Sequence, residues 1–525
     1  MNHLLYGLAA NPALPPDLLD RMVALLVAAD PDDDDATMLD LALGDRTDLG
    51  RARAQALASR DEATAVRLAY GGQLDADDVD PVKWPGPAVA LLDEGIDRPE
   101  WARLLAVHPD PGVRWRLASC PGLPPDVVET LAADPDTGVV AELALWATTT
   151  EVATRLALHP HAEVRYSAAL NEAADPAVLA ALITGEGLEP AVSCLVCDAK
   201  DVPFTHHPYC PDPDCELRPG AECDGAHGST VLETWERAAR NPSTPAGAAA
   251  SLAGHPSMLV RWALAERSDL PREVHARLAE DPVPAVREAV AGNPAVGEEL
   301  VRALASNASQ EVRRAVAHHP DLPLDVLADL ARSTRIGPVL LPRIAAATPR
   351  ELTELAGSRH GAVRMLVAQR RDLPPELRDA LATDPDAAVV ASVAPHPGLS
   401  EERLRAMVAA HDGRVAAGVA ANPDVPGALL AELARREPPV RKALKAIAVH
   451  PHATAEALLP CLADSKAARF AAGHPALTPS VLVGLLADAD WQVVEAAAAN
   501  PSLPPSVMED LVRRYTDPGV TRPVS

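Results

Sequence analysis

The chain has 525 residues, 48% of them apolar but only 3% aromatic, so any large core must be built from Ala, Leu and Val and not from stacked rings. Its 74 acidic residues outweigh 47 Lys and Arg, and a formal charge of −27 disfavours the phosphate backbones of nucleic acids and anionic membrane surfaces. No run of 18 apolar residues appears, and Met1 to Tyr6 show no basic segment leading into an apolar one; neither a membrane span nor a signal peptide is expected, and the expected compartment is the cytoplasm.

From Asn11-Pro12 onward the chain reads as a helical repeat, and the organisation predicted for residues 1–189 is an N-terminal solenoid of two-helix units. Between about 30 and 100 the pattern weakens, where the acidic run Asp32 to Asp35 and the Pro-rich stretch Val79 to Pro87 interrupt it. Residues 190–230 read as a separate Cys/His-rich insert, residues 231–514 as a C-terminal solenoid, and residues 515–525 as a flexible tail.

The repeat is clearest in the C-terminal part. Ser268-Asp269-Leu270-Pro271, Pro294-Ala295-Val296-Gly297 and Pro320-Asp321-Leu322-Pro323 follow one another at steps of 26 residues, as do the segments starting at Arg371, Pro397 and Pro423. In the unit Ser268 to Asn293, Pro271 fits a helix start, Val274 and Leu278 stand one turn apart, and Asp281-Pro282 stops the helix. A second helix from about Pro284 puts Val286, Ala289 and Val290 on one face, and Asn293-Pro294 ends it, because the residue before proline is driven out of the α region. Helices this short are marginal alone, so the fold class expected is an all-α solenoid in which neighbouring pairs supply one another's stability.

Two polar series keep step with the repeat. Arg114, Arg165, Arg261, Arg287, Arg313, Arg364 and Arg441 each follow a Val at the start of a second helix, and a ladder of pairs with acids or helix-end carbonyls is expected of them. His108, His159, His255, His319, His396, His450 and His474 stand before Pro, where other copies carry Asn or Asp, which points to helix-end hydrogen bonding and not to catalysis. Cys120 and Cys461 read as structural thiols.

The insert carries the chemistry. Its ligand-capable side chains are Cys194, Cys197, His206, His207, Cys210, Cys215, Cys223 and His227, spaced C-x2-C, twelve residues, C-x4-C, seven residues, C-x3-H. A C-x2-C pair sets two thiolates on one turn, and a second pair completes a tetrahedron for Zn²⁺. Cys194, Cys197, Cys210 and Cys215 are the simplest such set; a histidine of the 206–207 pair with Cys223 and His227 would extend it to two ions. Four cysteines also suffice for a [4Fe–4S] cluster, while the histidines lean towards zinc. So many thiolates leave no open position for a catalytic zinc. No zinc-deaminase arrangement, GxSxG, P-loop or HExxH is present.

The Asn-Pro and His-Pro starts, the Leu-Pro step and the turn Asp281-Pro282…Val286-Arg287 together resemble the leucine-rich repeat variant family, with kinship to HEAT-type repeats, over about four fifths of the chain. That resemblance implies a right-handed superhelix of α-helices and shorter, partly 3₁₀ helices. It also gives weight to an iron–sulfur cluster, since one arrangement in that family carries a cluster beside the repeats. The function expected is a non-enzymatic scaffold that binds a protein partner, with no nucleic acid and no membrane, and with a structural zinc site. The alternative is a [4Fe–4S] redox or metal-sensing repeat protein.

Overall fold

The computed structural model describes residues 3–30, 34–195, 197–198 and 227–516. Among the described residues the chain is all-α, with thirty-five α-helices and two short 3₁₀ helices, Ala76–Asp78 and Ser251–Gly254. The weakly patterned stretch is helical too, through Asp34–Gly44, Arg51–Ala58, Glu62–Tyr70 and Pro85–Asp93. At the far end the helix Pro505–Thr516 runs into the expected tail, the rest of which lies outside the described residues.

One unit shows why the sequence folds this way. Pro271 caps the helix Arg272–Ala279, and Pro284 opens Pro284–Gly292, where a missing N–H is harmless. The first helix buries His275, Leu278 and Ala279 and the second Val286, Val290 and Ala291. Each fully buried Leu or Val contributes about 1.5–3 kcal/mol relative to its exposed state, but such a pair has only two or three of them and needs its neighbours.

Neighbours are joined by a polar rung at the end of each second helix. Asn293 donates from Nδ2 to the carbonyls of Ala265 (2.9 Å) and Arg267 (2.7 Å) in the preceding repeat. Its Oδ1 accepts from the Ala295 backbone N–H. Histidine does the same work at His319, whose Nε2 donates to the Asn293 carbonyl (3.1 Å) while Nδ1 accepts from the Asp321 N–H. The neutral imidazole thus reproduces the donor and acceptor of an asparagine amide, which explains their interchange. Arginine fills the place a third way. Arg267 reaches the carbonyls of Ala239 and Asn241 and is braced by Asp269 at 2.6 Å. Arg46 with Asp48 and Arg370 with Asp372 repeat that arrangement. Buried carbonyls at helix ends need such donors, so these side chains complete the stack.

Contacts gather the chain into two compact units. One comprises Met1–Val79, Pro338–Leu340 and Ile344–Ser525; the other comprises Asp80–Gly337 and Leu341–Arg343. In the first, the rung series runs through His396, Asn422, His450, His474 and Asn500 and then continues at the opposite end of the chain. Asn11 donates to the carbonyls of Ala498 (2.9 Å) and Asn500 (2.8 Å), and Arg46 donates to those of Ala9 and Asn11. Helix His3–Ala10 packs on Trp491–Ala498, with Gly7 pressed so close to the Glu495 carbonyl that an added Cβ would lie 2.2 Å from its oxygen. The first repeat is therefore the structural successor of the last.

Candidate metal centre

The insert begins and ends against the helices that flank it. Val192 donates its N–H to the Pro160 carbonyl (2.8 Å) and Ala162 to the Ser193 carbonyl (2.9 Å), a short parallel bridge that fixes the chain just before Cys194. Cys194 and Cys197 then lie on one tight turn, closed by the Asp198 N–H on the Cys194 carbonyl at 3.0 Å. Asp198 is itself tied down: its carboxylate accepts from Ser193 Oγ (2.5 Å) and meets His161 Nε2 (3.0 Å). His161 in turn caps the helix Ala162–Ala168, accepting from the Glu163 N–H.

His227 stands at the start of helix Gly228–Arg240 with a backbone φ of +54°, a left-handed conformation uncommon for a residue other than glycine. That helix is held on Ala162–Ala168 by Thr230 on Glu163 (3.1 Å) and by Arg237, which stacks on the Tyr166 ring and donates to its hydroxyl. The strained histidine is buried, its Nε2 donates to the Ala191 carbonyl (3.1 Å), and its Nδ1 faces Cys197 Sγ at 3.7 Å. The two sulfurs are 3.6 Å apart, far beyond a disulfide bond of about 2.05 Å. The ligand atoms of Cys194, Cys197 and His227 all lie within 4.8 Å of one another.

The 3.6 Å and 3.7 Å separations are close to those of one tetrahedron: two thiolates at about 2.3 Å from a common Zn²⁺ would stand about 3.8 Å apart, and a thiolate and an imidazole nitrogen slightly closer. The Nε2 bond to Ala191 fixes the tautomer that presents Nδ1, as partners behind metal-bound histidines usually do. His206, His207, Cys210, Cys215 and Cys223 lie outside the described residues. Cys120 and Cys461 stand apart from the centre, buried under carbonyls of Val89 and Leu444, and burial pushes both thiols up to about 12, out of reach of thiolate chemistry.

The arginine series forms clamps. Arg114, Arg261 and Arg364 each grip the aspartate twenty residues on, Asp134, Asp281 and Asp384, at 2.6 Å, and each also donates to a carbonyl six residues back. The rung arginines Arg46, Arg267 and Arg370 escape a reading of the repeat that starts at the Asp-Leu-Pro step. The signal that finds them is the Arg-x-Asp-Leu run immediately before it.

No protein-family profile matches the chain, and no curated protein matches it. Among solved structures it is similar to a leucine-rich repeat variant with a novel repetitive protein structural motif, at 26% identity over 46% of this chain and 85% of that one, with a TM-score of 0.26. It is also similar to a chain of the Pds5–Scc1 complex, described for its implications for cohesin function, at 14% identity over 91% of this chain and 67% of that one, with a TM-score of 0.14. No helix among the described residues is long and apolar enough to cross a membrane. On its own repeats, the chain is a helical-repeat protein.

Proposed function

We propose that the chain is a non-enzymatic scaffold that binds a protein partner, its repeats of the leucine-rich repeat variant type, with a structural zinc ion pinning the insert to the array. The observation that carries the scaffold reading is where the recurring polar groups go. The Asn, His and Arg rungs donate to buried carbonyls, and the second-helix arginines either clamp aspartates, as Arg261 does, or donate to helix-end carbonyls, as Arg287 does, so the residues most regular along the chain serve stacking and none is poised for catalysis. The exposed remainder is what varies from repeat to repeat, as a binding surface requires.

For the metal, the 3.6 Å between Cys194 and Cys197 and the inward Nδ1 of His227 favour a single ion. A cubane cluster binds each thiolate to a different iron and so spreads the sulfurs further apart than one tetrahedron does. A fourth ligand from the residues between 198 and 227 completes the zinc site in this reading, with Cys210 and Cys215 the first choice.

Elemental analysis of freshly purified protein is the test: zinc at one or two per chain, no iron and no visible absorption are expected. A brown, iron-containing sample prepared without air would overturn the zinc reading in favour of the cluster. Removing the metal with a chelator should expose residues 190–230 to protease while the helical circular dichroism survives, because the insert lacks a core of its own and the rungs do not pass through it. Unchanged cleavage after proven metal loss would count against the structural role.

A further inference from the structure

Arg165 departs from the clamp that three members of its series form. Arg114, Arg261 and Arg364 neutralise themselves on an aspartate twenty residues on, but the same step from Arg165 leads to Gly185, in a left-handed turn at φ +72° with no side chain to offer. Arg287 and Arg313 also lack the acid, yet neither is buried, and Arg313 has Thr334 Oγ1 at 2.9 Å instead. Arg165 is only 7% exposed. Its Nε donates to the His159 carbonyl (2.5 Å) and its Nη1 to the Glu189 carbonyl (2.7 Å). Among the described residues no carboxylate forms an ion pair with it and nothing accepts from Nη2. Burial with no compensating negative charge holds its pKa below the usual arginine value.

A buried guanidinium without a counter-charge is costly unless something else supplies one. Arg165 borders a cavity of about 410 Å³ between helices Pro176–Thr184 and Gly228–Arg240. The opposite walls are apolar, from Leu182, Ile183, Val231 and Trp235, with the Trp235 ring fixed by its Nε1 donating to the Leu182 carbonyl at 3.0 Å. Thr184 and Thr234 also line it, their hydroxyls donating to the Ala180 and Thr230 carbonyls, as do exposed Glu189 and buried His227. Arg165 is the buried cation of this mostly apolar recess, which fits a singly charged ligand with an apolar body, and the volume suits a small molecule.

We propose that this cavity binds a small organic monocarboxylate, its oxygens on the open edge of Arg165 and its apolar or aromatic tail along Trp235. The carboxylate would supply from solution the negative charge that Asp134, Asp281 and Asp384 supply from the chain in the other repeats. Inorganic phosphate, with a second charge and no tail, should bind much less well.

Isothermal titration of the full chain, as purified, tests this with phenylacetate and isovalerate against neutral phenylacetamide and inorganic phosphate. At least one carboxylate should saturate with a Kd of about 0.1–1 mM, as expected for a ligand of this size. Phenylacetamide, phosphate and the R165Q variant should each weaken binding at least tenfold. Should R165Q fail to fold, G185D decides. A Cβ at Gly185 meets nothing within 4 Å and aspartate is among the few residues that enter the left-handed region, at some cost in stability, so a folded G185D chain, which restores the acid of the sister repeats, should weaken ligand binding at least tenfold. Equal binding of phenylacetamide and phenylacetate, binding unaffected by R165Q or G185D, tighter binding of phosphate, or no heat from either carboxylate at 20 mM would each overturn the proposal.

Discussion

The regular rungs and the Cys/His insert solve the same problem by opposite means. At Asn422 or Asn500 one side chain satisfies two carbonyls of the previous repeat, 28 and 26 residues back, and the pattern needs nothing beyond the next copy. The insert has no such copy: its two ends are fixed by the bridge at Ser193 and by His227 on Ala191, and the proposed metal would hold what lies between them. Yet the ladder passes it by. Asn241 donates to the carbonyls of Ala169 and Asn171, the latter 70 residues back instead of about 26, so the array closes around the insert as if it were absent. The candidate metal centre thereby stands outside the ladder that joins the repeats.

The largest effect expected from breaking the ladder is at Asn500 and at Asn11. Either change to alanine removes three hydrogen bonds, two donated and one accepted, and strands two buried carbonyls, which costs about 2–4 kcal/mol. The cost should be equal for both, although Asn11 stands 487 residues from the Ala498 carbonyl it serves. Hydrogen exchange along Trp491–Ala498 is the measurement. If Asn11→Ala leaves exchange there unchanged while Asn500→Ala raises it, the first repeat does not succeed the last.

That succession marks the boundary of what the sequence makes legible. The step of 26 residues, the helix pair with its break at Asp281-Pro282, and the sharing of one position by Asn and His are all readable, because proline and the apolar spacing act within a single unit. Which copies touch is not a local property. Asn11-Pro12 and Asn500-Pro501 carry the same signature as every other rung, and nothing in either says that they are neighbours. Helices in the stretch from 30 to 100 are hidden for a related reason. Asp34–Gly44 and Arg51–Ala58 have weak amphipathic patterns, and their burial comes from the partners they meet. In the metal centre, C-x2-C is visible as a knuckle, but the role of His227 depends on a left-handed backbone and a carbonyl at Ala191 that spacing does not reveal.

Histidine rungs sharpen the contrast between Asn and its substitute. His396 is fully buried, its Nε2 donating to the Ala368 carbonyl at 2.8 Å, and burial, with Arg371 and Arg378 nearby, holds its pKa below the usual 6.5. His450 is pushed down mainly by burial as well. In each case the unfolded chain takes up protons first, so the stabilisation is complete above about pH 6.5 and is lost as the pH falls below it. His396→Asn, which places at this rung the residue used at Asn422, should therefore raise the urea midpoint at pH 5.5 and leave it nearly unchanged at pH 7.5. Urea midpoints at the two pH values check this, and a variant as acid-sensitive as the wild type would show that His396 is protonated in the fold.

The smallest effect should come from the largest deletion. Because the ladder closes around the insert and His227 already touches Ala191, residues 192–226 can be replaced by a short Gly-Ser linker without asking the flanking helices to move. The shortened chain loses the bridge at Ser193 and the cap support that Asp198 gives His161, both peripheral to the rungs, so its urea midpoint should correspond to a change of no more than about 1 kcal/mol. It should hold no metal, whereas a Cys194→Ser chain should keep its helices and lose only the protection of the insert. A shortened chain that fails to fold would mean that the metal, and not Asn241, joins the helices on either side. In that case the two means of closure described above would be one.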